Sequence, residues 1–303
     1  MVPRMLFSGW LRGRAQGFFG KCLVTTIATA GAGCTVIVDS SRQQCSTDGD
    51  CQKRGGVFAR ALCSNSVCVT DPKWGCVGSV VWPMVPPVAS PEKVTARIAL
   101  SNLLTGDVLV GAKTRVCGKL DPTCDFPLQS DVLSDAEGVL TLQLNKFFEG
   151  YLEITYPEMV NTMYYFTPPL DGDRFVPFIP LVPFSAFAVF GEQLKMMPKA
   201  DRGTVIGLTY DCQGVSAEGI ELSTDGSDEF TTSFYMVQGS PRIDATKTDK
   251  SGQGGVANVT VGARLLSGRR ADTGEVIGIV SIQTRQLWIT YTSMLPTPLS
   301  AQK

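Results

Sequence analysis

Histidine is absent from all 303 residues of the sequence. Imidazole is the usual proton shuttle near neutral pH and the commonest metal ligand in proteins. Its absence excludes Ser/His/Asp and Cys/His catalytic arrangements, together with every zinc site that needs a histidine. Carboxylate pairs, a lysine base and a four-cysteine metal site stay open as chemistry, but none of them has a recognisable motif here.

The chain also lacks an excess of charge and long uninterrupted apolar runs. Lysine and arginine number 27 against 28 aspartates and glutamates. No broad basic surface is therefore available to attract nucleic acid, and we expect no nucleic-acid partner. The apolar runs at 22–30 and 175–190 are shorter than the roughly 18–20 residues of a membrane-spanning helix.

Glycine and proline are plentiful, with 31 and 18 residues dispersed along the chain. This punctuation is typical of many short strands joined by turns. We predict a mainly β chain, with two tandem antiparallel β-sandwich domains preceded by a small disulfide-rich module and a signal peptide. In chain order the predicted segments are a signal peptide at 1–33, a Cys-rich module at 34–76, a Pro-rich spacer at 77–92, a first sandwich at 93–184, a connector with a short helix at 185–200, a second sandwich at 201–298 and a tail at 299–303.

The amino terminus has the order of a secretory signal. Residues 1–21 carry three arginines and a lysine without an acidic residue, and an apolar run ending in small residues follows. Two cleavage sites compete. Ala28-Thr29-Ala30 fits the small-residue rule of ordinary signal peptidase, whereas Gly31-Ala32-Gly33-Cys34 resembles a lipobox, with Gly31 where leucine is usual.

Cysteine parity favours the lipobox. Removing Cys22 with the signal leaves nine cysteines, and lipidating Cys34 leaves eight that can pair. We therefore expect a membrane contact through a lipid on Cys34. The alternative is a secreted protein with one odd thiol.

The stretch after Cys34 has no long hydrophobic pattern and needs covalent staples. Its cysteine spacing is wider than that of a zinc knuckle, so we expect disulfides and assign no metal. Asp48 and Asp50 resemble a calcium loop, but no further acidic ligand follows, and an Asx turn is expected instead. The eight disulfide candidates are Cys45, Cys51, Cys63, Cys68, Cys76, Cys117, Cys124 and Cys212.

Two blocks of short β-prone segments share landmarks. Gly111-Ala112 corresponds to Gly219-Ile220, and the Asp-x-x-Gly turn at 135–138 corresponds to the one at 249–252. We interpret the blocks as a diverged tandem repeat. The predicted strands are 95–100, 108–116, 139–144 and 151–156 in the first block, and 204–210, 220–223, 230–237, 256–261, 276–283 and 287–291 in the second.

The segment Gln44 to Cys51, Gln-Cys-Ser-Thr-Asp-Gly-Asp-Cys, resembles the one after the lipid-bearing cysteine of a group of myxobacterial-type envelope lipoproteins. Residues 105–112, 135–139 and 248–262 are similar to carboxypeptidase regulatory-like, or transthyretin-like, β-sandwiches. The resemblance covers residues 34–298. The resemblance implies an exported, outer-membrane-anchored lipoprotein without a cofactor. It also implies non-catalytic domains, because hydrolases of the transthyretin-like fold depend on histidines and this chain has none.

Two disulfide pairings follow from position and counting. Cys117 and Cys124 bracket a six-residue loop with a Pro turn, where a local disulfide closes easily. Counting the cysteines then leaves Cys212 and Cys76, and we treat their pairing as a hypothesis.

We expect a binding, adhesion or scaffolding role, with loops as contact surfaces and another envelope protein or a glycan as partner. The alternatives are a carboxylate-dependent hydrolase and a glycan-binding module. The first would use Asp225, Asp228 and Glu229, although such acids are more often a solvated turn. The second would need exposed aromatic side chains at Tyr164-Tyr165-Phe166 or Phe234-Tyr235, where strand spacing predicts that alternate residues are core.

Overall fold

A computed structural model describes residues 43–55, 58–77, 90–193 and 198–296. The predicted signal peptide, Cys34, most of the predicted spacer and the predicted tail lie outside these residues. The described part is mainly β, as the sequence predicted. None of its helices combines the length and apolar character that crossing a membrane requires.

The described residues form two helices and seventeen strands. The apolar segment at 175–190 contributes to the strand Arg174–Leu181 and the helix Phe184–Gln193. In chain order the elements are α1 (Asp48–Gln52), β1 (Ala61–Ser64), β2 (Val67–Thr70), β3 (Lys93–Asn102), β4 (Lys113–Gly118), β5 (Gln129–Leu133), β6 (Val139–Asn145), β7 (Gly150–Thr155), β8 (Thr162–Tyr165), β9 (Arg174–Leu181), α2 (Phe184–Gln193), β10 (Arg202–Thr209), β11 (Ile220–Thr224), β12 (Thr232–Val237), β13 (Ser240–Arg242), β14 (Gln253–Thr260), β15 (Gly262–Arg270), β16 (Val276–Thr284) and β17 (Ile289–Met294).

A nine-stranded sheet of the order β13-β12-β14-β10-β17-β8-β7-β4-β5 runs through both predicted sandwich ranges. β17 joins its halves, because it pairs in parallel with β10 on one side and β8 on the other. The other sheets of the described residues are two three-stranded sheets, β6-β3-β9 and β11-β15-β16, and the two-stranded sheet β1-β2 of the Cys-rich module. Most pairings are antiparallel, as expected. The parallel pairs β3–β9, β10–β17 and β17–β8 were not predicted, because strand patterns do not reveal partners.

The nine-stranded sheet has a hydrophobic core on each face. Successive side chains of a strand point to opposite faces. Tyr164 of β8 therefore packs with β3, β6 and β9 in one core, while its neighbour Tyr165 packs with β11, β15 and β16 in the other. Central strands are consequently buried on both sides.

The two predicted repeats, 93–184 and 201–298, share one set of side-chain hydrogen bonds. The Ser134 hydroxyl accepts the Ala112 N–H at 2.9 Å, and the Thr248 hydroxyl accepts the Ile220 N–H at 3.0 Å. Each hydroxyl also donates to a carbonyl of the preceding loop. Ala112 and Ile220 are the second residues of the Gly-Ala and Gly-Ile landmarks of the sequence, so the landmarks mark a contact that the two repeats share.

The Asp-x-x-Gly turns require glycine at their last position. Gly138 and Gly252 have φ values of +72° and +66°, and their carbonyls accept the N–H groups of Leu100 and Thr209. At Gly252, an added Cβ would lie 2.6 Å from the carbonyl oxygen of Thr209. Both the backbone conformation and the close approach therefore exclude larger residues.

Disulfides Cys45–Cys63 and Cys51–Cys68 hold the Cys-rich module. The carboxylate of Asp50 accepts the N–H groups of Ser46 and Thr47 at 2.9 Å, and that of Asp48 accepts the Cys63 N–H at 2.7 Å. Asp48 and Asp50 lie in the first turn of helix α1, and Asp50 takes part in a capping box with Thr47. The expectation of an Asx turn between Cys45 and Cys51 was therefore wrong, because these acids begin a short helix.

A disulfide and an ion pair connect the Cys-rich module to the second repeat. Cys76 forms a disulfide with Cys212, the pair that cysteine counting left over. Arg60 of the module forms an ion pair with Glu275. Trp74 is buried in the second core, with the Arg270 guanidinium 5.3 Å from its ring centroid. The module therefore packs against the second repeat.

Candidate functional site

The loop at residues 119–128, between β4 and β5, exposes large apolar side chains. Leu120 is 95% exposed and Phe126 is 85% exposed, and Leu128 is also exposed. Burying such side chains stabilises a contact by about 1.5–3 kcal/mol each. Clustered exposed apolar groups are typical of interaction sites. We call this segment the contact loop.

The contact loop is closed at its base and tied within itself. The disulfide Cys117–Cys124 is buried beneath it. The carboxylate of Asp121 accepts the N–H groups of Asp125 at 3.0 Å and Phe126 at 2.8 Å. The Phe126 hydrogen bond contributes most to lowering the pKa of Asp121. The Leu128 N–H donates to the Val116 carbonyl at 2.8 Å, so the backbone is held on both sides of Phe126.

A buried carboxylate lies next to the base of the loop. Glu153 of β7 is 2% exposed, and its Oε2 accepts the Nε–H of Arg115 from β4 at 2.9 Å. Its Oε1 forms an ion pair with Arg285, which follows β16. Both oxygens thus face a guanidinium, as a buried carboxylate requires.

Side chains around Glu153 hold the loop backbone from below. They donate to three of its carbonyls: Arg115 Nη1 to Cys124 at 3.3 Å, Arg285 Nη2 to Pro122 at 2.7 Å and the Tyr151 hydroxyl to Asp121 at 2.6 Å. The guanidinium groups bridge a fixed anion and the loop. Glu153, Arg115 and Arg285 therefore position the contact loop.

Aromatic rings enclose this cluster. Tyr151 stacks on Tyr165 at 5.0 Å between centroids, and the Arg285 guanidinium lies 5.0 Å from the Trp288 ring centroid. Burial raises the pKa of Tyr151 to about 12. Its hydroxyl therefore keeps its proton at neutral pH and remains a donor to the loop.

Two of the three acids of the hydrolase alternative, Asp225 and Asp228, hold backbone N–H groups. Asp225 Oδ1 accepts the Leu265 N–H at 2.9 Å. Asp228 pairs with Arg202 at 2.6 Å, and this hydrogen bond contributes most to lowering its pKa. Glu229 is exposed. A lowered pKa disfavours the protonated form that a general acid needs.

The aromatic clusters of the glycan-binding alternative are buried. Exposure of Tyr164, Tyr165, Phe166, Phe234 and Tyr235 is 5% or less. The expectation that only alternate members would be core was wrong for these strands, because both faces of the nine-stranded sheet are covered. None of the five offers a platform for a sugar.

Among the described residues, two groups bring possible metal-ligand atoms together: the sulfurs of Cys45, Cys51 and Cys68, and the sulfurs of Cys117 and Cys124 with a carboxylate oxygen of Glu153. All of these sulfurs belong to disulfides. Metal ligation requires a thiolate, so neither group is a metal site in this oxidised form.

Sequence reasoning found the loop but missed its support. The two cysteines and the Pro turn marked a closed loop. Glu153, Arg115 and Arg285 carry no motif, because they come from separate elements that only the fold brings together. A glutamate within an apolar strand, Tyr-Leu-Glu-Ile, was the one available signal.

No protein-family model matches the chain, and no curated protein matches it. Solved structures that match the chain include pilins. A mutant of the shaft pilin SpaA from Lactobacillus rhamnosus GG has 12% identity, with 68% of this chain and 98% of that chain covered and a TM-score of 0.23. The major pilin subunit BcpA of Bacillus cereus has 8% identity, 68% and 70% coverage and a TM-score of 0.24. A streptococcal ancillary pilin has 13% identity, 68% and 64% coverage and a TM-score of 0.22. Nothing about function follows from TM-scores this low.

Proposed function

We propose that this chain is an exported, non-catalytic binding or scaffolding protein, tethered to a bacterial envelope by a lipid on Cys34, whose contact loop is its binding surface. The observation that carries this proposal is the exposure of Leu120 and Phe126 on a fixed backbone. A preformed loop binds at a smaller cost in conformational entropy. An aromatic anchor such as Phe126 is typical of binding hot spots.

Export is supported by the four disulfides of the described residues. Disulfides form and persist in oxidising compartments and are rare in the cytosol. The amino-terminal pattern of the sequence supports the same compartment. Cysteine parity supports lipidation, because all eight cysteines that remain after Cys22 and Cys34 are paired in the structure.

The non-catalytic part of the proposal is supported by the absence of histidine and by the roles of the candidate acids. Asp225 and Asp228 are engaged in turn hydrogen bonds and an ion pair. Glu153 is enclosed by two arginines and shielded from solvent. Asp225 and Asp228 thus stabilise backbone directly, and Glu153 stabilises the contact loop through its arginine partners.

Photo-crosslinking in cells that make the protein tests the contact loop. Phe126→p-benzoylphenylalanine places a reactive group at the loop tip. The matched control is Leu104→p-benzoylphenylalanine, because Leu104 is 60% exposed on the loop between β3 and β4. We expect a defined crosslinked adduct from position 126 and none from position 104. Absence of an adduct from 126, or equal adducts from both, would refute the proposed binding surface.

The tether has a separate test. The intact mass of the protein recovered from its envelope is measured before and after reduction and alkylation, and the amino-terminal peptide is identified. A diacylated Cys34 with eight reducible cysteines supports the tether. An unmodified chain beginning at Gly31 would contradict it and leave a secreted protein with an odd thiol.

A further inference from the structure

A polar cavity of about 180 Å³ lies between the end of the Cys-rich module and the second repeat. Lys73 and Trp74 line it from the module, and Glu218, Lys247 and Arg270 line it from the second repeat. Holding one water molecule takes about 10–15 Å³, so the cavity has room for a ligand of several heavy atoms. It includes none of the aromatic residues of the glycan-binding alternative and no residue of the contact loop.

Hydrogen bonds hold the backbone around this cavity. The Gly219 N–H donates to the Thr248 carbonyl at 2.8 Å, and the Ala271 N–H donates to the Gly219 carbonyl at 2.9 Å. On the module side, the Cys212 N–H donates to the Lys73 carbonyl at 3.0 Å, and the same cysteine forms the long-range disulfide. The cavity is therefore preformed, which lowers the conformational entropy cost of binding.

Trp74 and Arg270 form the fixed part of the lining. Trp74 is 6% exposed, and the Arg270 guanidinium lies 5.3 Å from its ring centroid. Arg270 also pairs with Asp272 at 2.8 Å and with Glu275 at 3.6 Å. Because these groups already have partners, a ligand must bind chiefly through the other charged side chains of the cavity.

These other side chains are two lysines and a glutamate. Within the described part of the chain, no salt bridge involves Lys73, Lys247 or Glu218. The Lys73 ammonium lies 5.7 Å from the Trp74 ring centroid, and Lys247 and Glu218 are exposed. A lysine only donates hydrogen bonds, and an ionised glutamate only accepts them. The cavity therefore offers donors and an acceptor at separate points of its lining.

We propose that this cavity binds a single hexose-type sugar residue through its hydroxyl groups. A hydroxyl both donates and accepts, so one sugar can accept from Lys73 and Lys247 and donate to Glu218. Trp74 and Ala271 supply the apolar part of the lining for the C–H groups of the sugar ring. A small anion would be repelled by Glu218, and a small cation by the lysines. The inference goes beyond the proposed function, because the contact loop takes no part in it.

Four free sugars test the site on the full mature chain by saturation-transfer difference NMR and isothermal titration: glucose, galactose, mannose and N-acetylglucosamine. Inorganic phosphate is the comparison ligand, because a site for small anions would bind it. The substitutions are Glu218→Gln and Lys247→Gln. The matched controls are Glu221→Gln and Lys250→Gln, whose side chains are exposed and do not line the cavity. Near-ultraviolet circular dichroism checks the fold of every variant.

We expect at least one of the four sugars to bind with a dissociation constant on the order of 1 mM. Glu218→Gln and Lys247→Gln should each weaken this binding at least about fivefold, and the two controls should change it less than about twofold. Glu218→Gln separates the two ligand classes. Removing the carboxylate should weaken the binding of a sugar, which loses an acceptor, but strengthen the binding of phosphate, which loses a repulsion.

A measurement on the wild type needs no substitution. The bound sugar should shift the amide NMR signals of Gly219 and Ala271, which line the cavity. Failure of all four sugars to bind, wild-type affinity in either lining variant, or shifts confined to other residues would overturn the inference. Phosphate binding that Glu218→Gln strengthens, without sugar binding, would overturn it in favour of a small anion. The crosslinking test of the contact loop is independent of all these results.

Discussion

Arg285, in the turn between β16 and β17, forms an ion pair with the buried carboxylate of Glu153 in β7. The two residues belong to different predicted repeats, and the same arginine donates to the Pro122 carbonyl of the contact loop at 2.7 Å. The position of the loop thus depends on both repeats. The conformation of the contact loop and the integrity of the repeat interface should therefore change together.

Glu153→Gln should destabilise the fold and loosen the contact loop. The substitution leaves Arg115 and Arg285 without their shared anion in a largely buried site. We expect a loss of about 2 kcal/mol in the free energy of unfolding, less than for a fully buried pair because Arg115 is partly exposed. Urea denaturation measures the loss.

The control for that substitution is Glu149→Gln. Glu149 pairs with Lys119 at the surface, where both side chains are well exposed. We expect a change below about 0.5 kcal/mol. Equal effects at positions 149 and 153 would contradict the role given to the buried cluster.

One long-range disulfide and one local disulfide should differ in their contribution to the free energy of unfolding. Cys76–Cys212 closes 136 residues and Cys117–Cys124 closes seven. The loop-entropy relation gives about 5 kcal/mol for the first and about 2.5 kcal/mol for the second. Replacing each pair by serine and measuring the unfolding free energy tests the order. A larger loss from the local pair would show that it carries more than its loop entropy.

The matched hydroxyls of the two repeats should be equally important. Ser134→Ala and Thr248→Val each remove the acceptor for a buried backbone N–H. An unsatisfied buried donor costs about 1–3 kcal/mol. We expect similar losses from the two variants in denaturant titrations. A loss confined to one of them would argue against equivalent turns in the repeats.

Stability should fall at alkaline pH. Burial raises the pKa of Tyr151 and of Tyr164 to about 12, and it also raises the pKa of Tyr291. An unfolded tyrosine ionises near pH 10. Between pH 10 and pH 12 the unfolded chain therefore holds fewer protons than the folded chain, so the free energy of unfolding decreases. Thermal melts across this range should show it, and a flat profile would contradict the burial of these hydroxyls.

Local features of the fold were predictable, and its long-range pairing was not. Turn residues and strand patterns predicted most strands, including β6 and β7. The sequence did not reveal six strands, because their apolar alternation is weak or short: β1, β2, β5, β8, β13 and β15. Nor did it reveal that β17 joins both repeats in one sheet, since neighbours in a sheet are chosen by tertiary packing.

Some features of the candidate site could likewise be predicted from the sequence, and others could not. The cysteine pair around the contact loop was visible, because the spacing of Cys117 and Cys124 is a local property. Burial of both Tyr164 and Tyr165 was not visible, because it requires a covered sheet on each face. The Arg-Glu-Arg cluster depends on side chains from three elements, and no local pattern records such a meeting.

Amide hydrogen exchange in the contact loop tests most directly whether the binding surface is preformed. The N–H groups of Asp125, Phe126 and Leu128 all donate to acceptors within β4 or the loop itself. We predict that these three amides exchange at least about a hundredfold more slowly than in an unstructured peptide, although the Phe126 and Leu128 side chains are exposed. Exchange at the unstructured rate would contradict the account, because the loop would then pay its ordering entropy on binding.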